Sequence, residues 1–78
     1  MPRLFFDIED DGNLRRDIEG IEIADEAAAR SEAVQTLVGL AKDWLPRNGK
    51  RRTITILVRT GDDRHLFKAA LSYEEGTG

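Results

Sequence analysis

The chain has 78 residues, no cysteine and a formal net charge of −3. This sets aside disulfide and thiolate-metal staples, and also a second independent core, because halves of that size would each be too small to hold together. With 40% hydrophobic and 35% charged residues, both signs interspersed, the composition is that of a folded domain, and its acidic balance argues against a general affinity for nucleic acid or anionic membrane. No run approaches the roughly 20 apolar residues of a membrane helix, and the opening stretch reaches Asp7 too early for a secretory leader. The expected location is the cytoplasm, without membrane contact.

Arg3 to Glu9 reads as a strand, with Leu4, Phe6 and Ile8 on the core face and Phe5, Asp7 and Glu9 on the other. Asp10-Asp11-Gly12-Asn13 reverses the chain, because glycine and asparagine tolerate positive φ. A second strand, short or irregular, is expected to end at Ile21 and Ile23, both pointing inward. Asp25 begins a helix as its N-cap, with Glu26 at the positive end of the macrodipole, and Pro46 followed by Asn48-Gly49 ends it. The apolar stripe of this helix is assigned to Ala24, Ala27, Ala28, Val34, Leu37, Val38, Ala41, Trp44 and Leu45, with Glu26, Arg30, Gln35, Lys42 and Asp43 toward water. Arg52 to Thr60 and His65 to Glu74 form a hairpin about Gly61-Asp62-Asp63-Arg64, and residues 76–78 read as a frayed tail. The fold class is therefore α+β in β-β-α-β-β order, one long helix packed on a small antiparallel sheet, as a single domain over residues 1–78.

Asp7, Glu9, Asp11 and Gly12 imitate the opening of a calcium loop, but the twelfth position is Ile18 and the preceding segment reads as strand, so no metal site follows. His65 is the only histidine and has neither an orienting partner nor a nucleophile in its pattern. The glycines are scattered, with no phosphate-cradling turn. No catalytic residue and no cofactor is assigned, and the chain is read as a non-enzyme. Two surfaces remain. Phe5, Leu57 and Leu66 project from the sheet face turned away from the helix and mark a candidate interaction face for a protein partner or a second copy of the chain. Arg47, Lys50, Arg51 and Arg52 form a basic run after the helix, the candidate contact for a nucleic acid in the alternative reading.

Pro2-Arg3-Leu4-Phe5-Phe6-Asp7, the segment Asp17-Ile18-Glu19-Gly20-Ile21-Glu22, and Ala24-Asp25 followed by Ala28-Ala29-Arg30-Ser31-Glu32-Ala33 resemble a family of small α-proteobacterial proteins common in rhizobia and their relatives. Leu4 stands where its members often carry tyrosine. The resemblance implies the same hairpin, helix and hairpin order, and it implies no activity, ligand or functional residue. The Asp17 to Glu22 segment is read as structural, with Gly20 meeting a backbone need and the acids holding nearby amides. The alternative is a recognition loop.

Overall fold

Strand β1 (Arg3–Asp10) supplies Leu4 and Phe6 to the buried core and turns Asp7 to the opposite face, as a period of two requires. The chain then reverses at Asp11 and Gly12, whose φ values of 49° and 92° satisfy the two-residue hairpin that links β1 to β2 (Asn13–Arg15). The single second strand expected from the sequence is split: β2 pairs with the end of β1, and β3 (Ile21–Glu22) pairs with its beginning. Between the pairs Ile8↔Arg15 and Leu4↔Ile21, three residues of β1 face the five residues 16–20, so the ladder cannot continue and the segment bulges outward. Ile23 is buried as expected, whereas Ile21 is 41% exposed.

Helix α1 (Glu26–Trp44) starts where the Asp25 carboxylate accepts from the Ala28 amide at 2.8 Å. Strands β4 (Arg51–Thr60) and β5 (His65–Glu74) complete a five-stranded antiparallel sheet of order β2-β1-β4-β5, with β3 also on β1. The computed structural model describes residues 2–44 and 51–76. The helix stop at Pro46 and its Asn48-Gly49 exit, together with Leu45, Arg47, Lys50 and the last two residues, lie outside the described residues. No helix among those described is long and apolar enough to cross a membrane.

The core lies between α1 and the sheet, where Ile54, Ile56 and Val58 are fully buried together with Ala29 and Ala33. This corrects the expected helix stripe. The buried line runs Ala29, Ala33, Leu37, with Leu40 and Trp44 packed alongside, while Ala24, Ala27, Ala28, Val34 and Val38 are exposed. Two apolar lines run along this helix at i, i+3 and i+4 spacing, and periodicity does not choose between them. The sheet does: its branched β4 residues fill the layer, leaving room opposite them for alanine methyl groups. Glu26, Arg30, Gln35, Lys42 and Asp43 face solvent as expected.

Candidate interaction surface

The bulged segment is held by charge. Asp7 and Arg59 occupy the back of the sheet, on β1 and β4, with side chains only 5% and 8% exposed. Arg59 donates from Nε to Asp7 Oδ2 at 2.8 Å and from Nη2 to the Asp17 carbonyl at 2.9 Å, and its guanidinium lies over the Phe5 ring at 4.8 Å. The Asp17 amide donates to Asp7 Oδ1 at 2.9 Å. In return the Asp17 carboxylate accepts from the amides of Phe6, Glu19 and Gly20, at 3.0 to 3.1 Å. One carboxylate thus replaces the ladder partner that β1 loses where the strand is interrupted. Burial works to raise both acids, but the Arg59 guanidinium and the Asp17 amide outweigh it at Asp7, and the backbone amides outweigh it at Asp17. Both carboxyls are held below the ordinary aspartate range.

Gly20 closes the knot. Its φ is +74°, and a β-carbon there would meet Arg3 Cγ at 2.8 Å and Phe5 Cε2 at 2.9 Å. Arg3 donates to the carbonyls of Glu19 and Gly20, and Arg16 pairs with Asp63 in the β4–β5 turn at 3.0 Å. Phe5 is therefore covered by Gly20 and Arg59. Leu57 stays half-buried on the same face, and Leu66 packs against the core cluster where the β4–β5 register shifts. The structure does not gather Phe5, Leu57 and Leu66 into one free patch.

The basic run is likewise committed to carboxylates where it is described. Arg52, 12% exposed, forks onto Asp10 through two bonds of 2.9 and 2.6 Å, stacks over Trp44 at 5.1 Å and donates to the Trp44 carbonyl at the helix end. That guanidinium holds Asp10 below its ordinary pKa. Arg51 pairs with Glu74 across the β4–β5 ladder. Arg16 sits at the other end of β4, about 23 Å away at a strand rise of roughly 3.3 Å per residue. Arg16 therefore does not converge on one surface with Arg51 and Arg52. Among the described residues no buried polar side-chain atom lacks a hydrogen-bond partner, and no cavity opens. Asp7 and Asp11, taken from the acidic run, accept from Arg59 and from the Thr53 amide.

What the fold leaves open lies elsewhere. Strand β5 ends the sheet, ten residues long, and its outer edge pairs with no described strand. Its helix-side residues Phe67, Ala69, Leu71 and Tyr73 are only half-buried. The exposed line of α1 presents Val34, 55% exposed, and Val38, 47% exposed. Arg30 fixes which way this line faces: its guanidinium lies over the Phe67 ring of β5 at 4.8 Å, and Val34 and Val38 continue the same i+4 row. Sequence reasoning assigns both valines to the core. The signal that separates them is the second apolar line on the helix, which a single sheet face has no room to cover.

Taken together these features define a two-layer α+β domain whose described buried charges are engaged internally, with an unpaired strand edge and an apolar helix flank among its open groups. The chain matches the family described as Domain of unknown function (DUF6894) over residues 3–72, and it belongs to that family. No curated protein and no solved structure matches it.

Proposed function

We propose that the protein is a non-enzymatic interaction module that binds a protein partner through the outer edge of β5 and the adjoining flank of α1. The observation that carries this reading is the exposure of Val34 and Val38 on the helix row that Arg30 turns toward β5, a ten-residue strand whose outer edge pairs with no described strand. Valine loses rotamer freedom in a helix, so propensity alone does not favour it on a solvated face. An open edge supplies backbone donors and acceptors, and an apolar flank beside it supplies area, the combination used in strand addition. Nucleic acid is the less supported partner, because a phosphate at Arg51 or Arg52 would have to displace Glu74 or Asp10.

The test compares the wild type with Val34→Glu/Val38→Glu as baits for proteins of the native cell. Both positions are exposed, so the variant keeps its circular dichroism and melting profile. Proteins retained by the wild type and lost by the variant are the expected result. Identical retention by both baits overturns the assignment of this surface.

A further inference from the structure

We infer that the partner seated on this surface is a second copy of the chain, with β5 pairing antiparallel to its own twofold mate so that Leu71 faces Leu71 and Lys68 faces Glu74. The inference rests on the interaction reading above and names its occupant. An isologous contact requires one patch to complement itself, residue i meeting j while j meets i. In an antiparallel pair directly opposed side chains share a face, so only registers that keep parity are allowed.

On the back face β5 carries Lys68, Ala70, Ser72 and Glu74, of which all four are exposed. With the axis through Leu71, Lys68 meets Glu74 of the mate and Ala70 meets Ser72, and the twofold repeats both contacts. Glu74 already pairs with Arg51 across β4, so the row becomes a continuous alternation of Arg51, Glu74 and the mate's Lys68. With the axis moved toward the amino end, through Ala70, Lys68 faces Ser72 and Glu74 faces Leu66. With the axis at Lys68 itself, like charges oppose. A lysine on an edge strand ordinarily blocks pairing. Here only the register centred on Leu71 supplies its counter-charge.

The helix face agrees with this arrangement. The axis runs perpendicular to the sheet, so both helices stay on one side of the joined sheet, each with its Val34 and Val38 flank turned toward β5 and therefore toward the mate. The half-buried Ala69 and Leu71 gain apolar neighbours, Ala69 facing Tyr73 of the mate.

Sedimentation equilibrium on the full chain tests this. The wild type is expected to show twice the chain mass in the high-micromolar range, with Lys68→Glu and Glu74→Lys each weakening self-association at least tenfold. An equimolar mixture of the two variants restores the dimer, because every opposed pair across that heterodimer is again Glu with Lys. Circular dichroism confirms that each variant remains folded, as both side chains are exposed. A wild type that stays at the mass of one chain up to millimolar concentration overturns the inference, as does a dimer that both variants leave intact or a mixture that fails to recover. A monomeric wild type removes the second copy as the occupant, whereas the surface itself stands or falls on the Val34→Glu/Val38→Glu comparison.

Discussion

Gly20 and Gly39 are the same residue doing opposite things, and they separate conformation from propensity. Gly20 combines a φ of +74° with side chains of Arg3 and Phe5 within 3 Å of any added methyl. Alanine there costs about 1–2 kcal/mol from backbone handedness before any clash is counted. Gly39 lies inside α1 with nothing within 4 Å of the place a methyl would take, so Gly39→Ala is expected to stabilise by roughly 0.8–1 kcal/mol. Urea titrations of the two variants should move the midpoint in opposite directions, and a gain from both would contradict the role given to Gly20. The acids make a second prediction at this scale. Asp7, Asp10 and Asp17 all have folded pKa values below the ordinary 3.8, so the folded state binds fewer protons than the unfolded one. Their contribution is complete above the unfolded pKa and is lost as pH falls through that value toward the lower folded ones. Stability should be nearly level from pH 7 to about 5 and then drop steeply below about 4. Asp7→Asn, which leaves Arg59 without its counter-charge, should flatten that drop while lowering stability at neutral pH. The Asp17 to Glu22 segment is legible in the sequence as a turn with a glycine requirement. Its anchor is not, because Asp7 and Arg59 are 52 residues apart and each looks like the polar half of an alternating strand. The only sequence signal is an acid and a base set in the middle of branched strands.

Among the elements, the strands and both hairpin turns are readable because their signals are local. Asp11-Gly12 has to supply positive φ, and Ile54, Ile56 and Val58 alternate without a break. The helix start near Asp25 is readable for the same reason. Its buried face is not, since Ala29, Ala33 and Leu37 compete with Ala27, Val34 and Val38 on equal spacing, and the winner is decided by the β4 side chains packed against it. Truncation distinguishes the two lines. Leu37→Ala should cost about 2–5 kcal/mol as a core deletion, whereas Val34→Ala in dilute solution should stay within about 0.5 kcal/mol. Equal losses at the two positions would contradict the packing described for α1.

For the whole molecule, the same sheet order that flanks β4 with β1 and β5 leaves β5 at the margin, and the helix that packs on β4 and β5 leaves its second apolar line exposed. Free surface is thus a consequence of topology, and no periodicity in the sequence announces it. The expected patch of Phe5, Leu57 and Leu66 follows from alternation alone, which takes no account of the Asp17 to Glu22 segment folding back across Phe5. Self-pairing of β5 makes one distance the decisive quantity. Directly opposed residues of an antiparallel pair lie about 4.5–5.5 Å apart at Cα, within the span of a disulfide, and the chain contains no cysteine of its own. A single Leu71→Cys substitution should therefore give an intermolecular disulfide rapidly on mild oxidation, whereas His65→Cys, twelve residues from its opposed position, should not. Equal cross-linking at the two sites, or none at Leu71, would contradict the account.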